Sequence, residues 1–280
     1  MAGTPSRTAL ATAYLRAAHQ LLDDTPRLLD DPTALTLLGA EAPAQIQAAA
    51  GRYASAEARA LRAHVMLRSR FAEDRLAAAV ARGVTQYVIL GAGFDTFAYR
   101  QPAWASSLRI FEVDSPATQR VKRNMLAAAS VTPPANVTFA DIDLESETLE
   151  SGLARHRVGL YQPTFFAWLG VMMYLTPETV EATLRTMAAF PPGSEIVLTF
   201  AWPPADAHVT QGTHSLAERA AKAGEPWLTF FLPPDLEQKL LDLGFTEVTF
   251  LSPTEAREHY FVDRSDLPAP KLATIVAARK

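Results

Sequence analysis

Val88-Ile89-Leu90-Gly91-Ala92-Gly93-Phe94-Asp95-Thr96 is an apolar run that ends in Gly-Ala-Gly and passes into a polar, turn-forming pair. Glycines at the carboxyl end of a first strand let the backbone turn sharply and approach a ligand that a β-carbon would block. That marks a nucleotide-type pocket in an α/β fold. Thr96 stands where the dinucleotide fingerprint places its third glycine, and no Gly-Lys-Ser/Thr follows, so neither NAD or FAD nor a phosphate loop is favoured.

Around this segment, short β-rich runs alternate with helical ones. The candidate strands are 87–90, 108–113, 137–139, 164–168, 196–200, 246–251 and 272–277, with helices near 116–129, 147–155, 177–189 and 234–243. Such alternation predicts a Rossmann-like, doubly wound, seven-stranded α/β sheet. The last two strands are separated by 252–271, rich in turn and polar residues, so they can form an antiparallel edge hairpin. The stretch 201–231 is too long for an ordinary connection and reads as a lid insertion.

Before the sheet, residues 1–83 read as a helical cap. Apolar positions recur at helical spacing over 8–22, Asp30-Asp31-Pro32 forces a turn, and 56–82 runs without a strong breaker up to Gly83. One domain over 1–280 is therefore expected, with residues 84–280 as the cofactor-binding α/β core.

Composition narrows the chemistry. The 280 residues include no cysteine, which excludes disulfides, thiolate nucleophiles and iron–sulfur clusters. A net charge of −4 and no basic stripe argue against a nucleic-acid partner. No apolar stretch approaches the roughly 20 residues that span a bilayer, and the N-terminus has no signal-peptide core, so a cytoplasmic protein without a membrane partner is expected. No His-x-x-His or Glu-x-x-His cluster suggests a metal.

Two further strand ends carry acids. Phe111-Glu112-Val113-Asp114 closes 23 residues after Gly91, near the spacing at which an acid reaches ribose hydroxyls. Asp114 is preferred for that role; Glu112 is the alternative, or a strand residue facing solvent. Asp141-Ile142-Asp143-Leu144 can meet an adenine edge, and Asp143 can equally cap the helix that follows. Glycines, a ribose acid and an adenine-edge acid without a phosphate grip fit S-adenosylmethionine better than a dinucleotide.

At this point the chain resembles the leucine carboxyl methyltransferase family, whose bacterial members are class I S-adenosylmethionine-dependent O-methyltransferases. The resemblance runs from about Ala63 to the C-terminus. It rests on Arg68-Ser69-Arg70 with Asp74, on Leu90 to Thr96 followed by Tyr99-Arg100, and on Glu112-Val113-Asp114-Ser115-Pro116 followed by Lys122. Asp143-Leu144, Gly170-Val171-Met172-Met173-Tyr174-Leu175-Thr176, Gly224-Glu225-Pro226-Trp227 and Gly244-Phe245 complete it.

The resemblance implies that Arg68, with Arg70 as alternate, holds the methionyl carboxylate of the cofactor. It implies that Gly91, Ala92 and Gly93 back the cofactor, Asp114 holds the ribose, and Asp143 with Leu144 the adenine. S-adenosylhomocysteine would be the product. Leu169 is a departure: it stands where the family carries a glutamate near the methionine end of the cofactor.

The expected reaction is O-methylation of a carboxylate on a small molecule, natural product or peptide C-terminus. Carboxylates are ionised at neutral pH and need only alignment, whereas a phenol needs a base. A phenolic or hydroxyl O-methyltransferase is the alternative, for which the loop histidines His208 and His214 are the base candidates, with Tyr174 a further candidate beside the reaction. The alternative of another class, prompted by Leu169, is an S-adenosylmethionine-binding protein without methyl transfer. Tyr174, Trp202, Trp227, Phe230 and Phe231 can line an acceptor pocket, although most such aromatics are core. The acceptor itself and the oligomeric state lie outside what the pattern encodes.

Overall fold

A computed structural model describes residues 6–209 and 211–280. The chain opens with five helices, α1 (Arg7–Leu22), α2 (Thr33–Leu38), α3 (Ala42–Ala48), α4 (Ala50–Tyr53) and α5 (Ala56–Ala81). Ser6 caps α1 by accepting the Ala9 amide, and Ser55 caps α5 by accepting that of Ala58. α5 then runs 26 residues and stops where Gly83 takes a φ of +99°.

Seven strands follow: β1 (Gln86–Leu90), β2 (Arg109–Asp114), β3 (Val137–Asp141), β4 (Thr164–Trp168), β5 (Glu195–Thr199), β6 (Glu247–Phe250) and β7 (Ile275–Arg279). Between them lie α6 (Pro116–Ala128), α7 (Leu149–Arg155), α8 (Pro177–Ala188), α9 (Gln211–Lys222), α10 (Pro233–Asp242) and α11 (Pro253–Tyr260). The sheet order is β3-β2-β1-β4-β5-β7-β6. β1 to β5 are parallel, and β7 runs antiparallel to both β5 and β6. β1, β4 and β5 are buried at every position, which is why 87–90, 165–168 and 196–198 read as unbroken apolar runs.

The last two strands do pair antiparallel at one edge of the sheet, as their spacing allowed, with β6 outermost and β7 between β5 and β6. The last strand starts at Ile275 rather than Leu272. Pairing on both sides buries Ile275 to Ala278, which only an interior strand needs. The segment between these strands also contains α11, whose capping box is written in Ser252-Pro253-Thr254-Glu255: Ser252 Oγ accepts the Glu255 amide while Glu255 accepts the Ser252 amide.

Two apolar layers sandwich the sheet. One joins α5 through Leu67, Phe71 and Leu76 to Tyr87, Ile89 and Phe165; the other joins α8 and α10 through Leu184, Met187, Leu236 and Leu240 to Val88, Phe166 and Leu198. Asp31, fully buried, sits 3.3 Å from Arg16 and 3.3 Å from Arg100, which ties the cap to the segment after β1, while Arg62 grips Asp23 within the cap through two 2.6 Å bonds. No helix among the described residues is long and apolar enough to cross a membrane.

Candidate functional site

The strand order reverses between β1 and β4, and a crevice outside their carboxyl ends is where ligands of open α/β sheets bind. Gly91 leaves β1 with a φ of +66°, and a Cβ there would lie 2.2 Å from Val171 Cγ2, so the glycine is demanded by the neighbouring strand end as well as by a ligand. The crevice opens into a cavity of about 1720 Å³. The cap, the strand ends and the segment around α9 all line it. This volume exceeds the roughly 300–1,000 Å³ of ordinary ligand pockets, leaving room for two molecules side by side.

Asp114 ends β2 with Oδ2 accepting the Gly93 amide at 2.7 Å and Oδ1 the Ser115 amide at 2.8 Å. Both oxygens keep a lone pair for a hydroxyl, and burial raises the carboxyl pKa against the pull of those two amides. Glu112 faces neither solvent nor cavity. It is fully buried, with Lys122 Nζ at 2.8 Å and the Tyr99 hydroxyl donating at 2.8 Å, so its charge is spent inside the fold.

Asp143 and Leu144 line the same cavity from the loop after β3. Asp143 Oδ1 accepts the Glu145 amide at 3.1 Å, an Asx turn, and the cap of α7 is Thr148 instead.

Arg68 comes from the middle of α5 and reaches Gly170 just past β4. A Cβ on Gly170, whose φ is +75°, would lie 2.3 Å from Arg68 Nη1. The guanidinium makes no hydrogen bond or ion pair to any described residue, and its Nε is buried without a partner among them. Burial, then repulsion from Arg16, lowers its pKa to about 10, which leaves it charged at neutral pH. Arg70, two residues on, points away and pairs with Asp74 at 2.9 Å on the surface.

The cavity also holds residues that the motif reading passed over. His64 lies one turn before Arg68, makes no hydrogen bond to any described residue, and has its pKa pushed down to about 3 by burial and the nearby guanidinium. Glu57, Leu61, His64 and Arg68 form one stripe of α5 along the cavity, a spacing of four, three and four that the sequence displays. Asp95, in the turn after Gly93, accepts from Arg16 at 2.7 Å and is thereby tied to α1. Glu225 receives the Arg7 amide at 3.0 Å, the Thr8 amide at 3.1 Å and the Thr8 hydroxyl, closing the segment after α9 onto the first turn of α1.

Tyr174, Trp202 and Trp227 line the cavity, whereas Phe230 and Phe231 do not. His208 lies outside it, its side chain 72% exposed and paired with Asp206 at 2.8 Å, and His214 of α9 is not part of the lining. His64 is the cavity's histidine among the described residues. Among those residues no group of three or more His, Asp or Glu is placed to hold a metal ion.

Comparison with known proteins decides the family. The leucine carboxyl methyltransferase family model matches residues 9–188. The chain belongs to the leucine carboxyl methyltransferase family. Kinship thus begins within α1 rather than at Ala63, so much of the cap belongs to the family's common frame. A Bacillus subtilis (strain 168) protein, YktD, provisionally named an S-adenosyl-L-methionine-dependent methyltransferase, is 31% identical over 93% of this chain and 93% of its own length. A Parafrankia sp. (strain EAN1pec) protein with the same provisional designation is 37% identical over 69% of this chain, a match spanning 62% of that relative.

The fold is shared with a provisionally named methyltransferase from Thermobifida fusca YX. That match has a TM-score of 0.57 at 17% identity and covers 99% of this chain and 95% of that one. A DUF574 family protein from Streptomyces avermitilis has a TM-score of 0.58 at 17% identity, covering 88% and 94%.

The protein is thus an S-adenosylmethionine-dependent methyltransferase of this family, and the residues present suit that cofactor. The unpaired, charged Arg68 matches a carboxylate, the glycine turn leaves room for an adenosine, and Asp114 has free lone pairs for its hydroxyls.

Proposed function

We propose that this methyltransferase esterifies a carboxylate oxygen, with Arg68 holding the methionyl carboxylate of the cofactor, Asp114 its ribose, and Asp143 with Leu144 its adenine. The observation that carries the choice of acceptor is the placement of the histidines. His208 and His214 lie outside the cavity, and His64, inside it, is held one turn from the Arg68 guanidinium. No base is thereby arranged for a phenol with a pKa near 10, because an imidazole with a pKa of about 3 is poorly matched to that proton.

A carboxylate brings its own lone pair. The bound cofactor supplies a sulfonium methyl, an electrophile whose departing electron pair stays on sulfur. The protein's part is to align and to exclude water: the aromatic walls of Trp202, Trp227 and Tyr174 shield the crevice, and neutral His64 can donate a hydrogen bond to the acceptor. Leu169 lines the cavity beside Gly170 and presents an apolar side chain toward the methionine end.

The acceptor is a small molecule or a peptide C-terminus, bound in the part of the cavity between the cap and the segment around α9. Action in the cytoplasm on such an acceptor is part of this reading. The experiment is incubation with methyl-labelled S-adenosylmethionine and a panel of carboxylic acids and phenols from pH 5.5 to 9. Label released as methanol by mild alkali, at a rate flat above about pH 6, supports esterification. Alkali-stable label that rises with pH identifies a phenol methyltransferase instead. Cofactor binding without label on any acceptor would count against esterification and favour the alternative of a cofactor-binding protein without methyl transfer.

A further inference from the structure

Five Arg and Lys side chains line the cavity with neither an ion pair nor a hydrogen bond to any described residue: Arg7, Arg52, Arg68, Arg219 and Lys271. Among the described residues, Arg16 is the one ion-paired Arg or Lys that lines it. Unpaired cations also occur on the surface away from the cavity, so what distinguishes these five is that they line one cavity. Arg68 is accounted for by the cofactor carboxylate. The other four are exposed and sit at the rim, in a chain whose net charge is −4.

Acids do not balance them. Asp95 and Glu225 are engaged by Arg16 and by α1, and Asp114 and Asp143 face the adenosine end. Glu145 also belongs to that end, which leaves Glu57 as the acid near the cap rim. Arg52 precedes α5, and from Ala56 to Arg68 the helix rises about 18 Å, so a group held at the rim is not the group being methylated.

We propose that the acceptor carries a second anionic group at its far end, held at the rim by Arg52, Arg219 and Lys271, with an apolar body lying along Leu61, Leu216 and Trp227. The acceptor class is an elongated amphipathic diacid, methylated at the inner carboxylate. This assignment rests on the carboxylate reading given above. Rim cations of this kind raise local anion concentration and lose their effect as salt screens them.

The test uses decanedioate and decanoate as probes, titrated by calorimetry into the full chain saturated with S-adenosylhomocysteine. Decanedioate is expected to bind about tenfold more tightly at low salt, a preference that shrinks to about twofold at 0.5 M salt. The triple variant Arg52→Gln, Arg219→Gln, Lys271→Gln should lose that preference while keeping its S-adenosylhomocysteine affinity. Equal binding of the two acids, binding of neither, or a preference that survives in the variant overturns the proposal. Labelled turnover separates the two readings. A tightly bound diacid that gains no alkali-labile methyl leaves the rim site standing and removes esterification; equal esterification of both acids does the reverse.

Discussion

Replacing Gly170 with alanine tests the cofactor end of the site through one atom. The new Cβ would lie 2.3 Å from Arg68 Nη1 and 2.7 Å from Cζ, far inside contact distance, so the guanidinium must leave its place. A bidentate grip on a carboxylate comprises charge-assisted hydrogen bonds worth about 1.5–3 kcal/mol each, and displacement forfeits at least one. Affinity for S-adenosylhomocysteine should therefore fall roughly 10- to 150-fold.

Backbone strain also contributes, because φ is +75° and an alanine there costs about 1–2 kcal/mol of stability. Gly193→Ala separates the two effects: its φ is +90°, yet its Cβ would meet nothing nearer than 3.6 Å, and it lies away from the cavity. Both variants should melt lower by similar amounts, while calorimetry finds weakened S-adenosylhomocysteine binding in Gly170→Ala alone. In an Arg68→Ala background, Gly170→Ala should cost little further affinity, since the group it displaces is gone. Unchanged binding by Gly170→Ala, or additive losses in the double variant, would refute the placement of Arg68 on the cofactor.

Three other outcomes follow from the geometry. Asp114→Ala should weaken S-adenosylhomocysteine binding by about 10- to 100-fold through the loss of charged acceptors for two hydroxyls, and calorimetry showing equal affinity would remove Asp114 from the ribose. Glu225→Ala should free the first turn of α1, lowering Tm by about 3–6 °C and accelerating hydrogen exchange at the Arg7 and Thr8 amides; protection as in the parent would mean that the clasp holds nothing. His64 has a folded-state pKa near 3, below its unfolded value near 6.5, so the unfolded chain takes the proton first and stability falls as pH drops through that window. Its partial exposure to the cavity limits this to about 1 kcal/mol between pH 7.5 and 5, and denaturant titration of His64→Leu should show that slope reduced.

The cofactor half of the site was legible because its parts lie at strand ends. Gly91, Asp114 and Asp143 each follow an apolar run, and parallel strands aligned by β pairing bring their carboxyl ends together wherever the intervening helices lead. Helix starts are local in the same sense, since Ser55, Ser115, Thr148 and Thr176 each cap the helix they precede, although the one cap expected from the sequence, at Asp143, falls instead at Thr148. The helix α11 was equally written in its Ser-x-x-Glu box and was passed over beneath a turn-rich composition. Glu112 read as an exposed or ribose-facing acid because alternation along a strand does not say which buried cation waits behind it; Lys122 does, from the next helix.

By itself, then, the sequence determined the fold class, the glycine turn, the acids at the strand ends and the family to which the chain belongs, since each depends on residues close together in the chain. The tertiary structure alone decided that β7 lies inside the sheet, that Glu225 closes on an amide 217 residues away, that His64 rather than His208 or His214 faces the cavity, and that Arg68 lies unpaired against Gly170. The physical reason is that the partner of a side chain is fixed by the packing of distant elements, where burial, charge and excluded volume are settled together and no local pattern records the result.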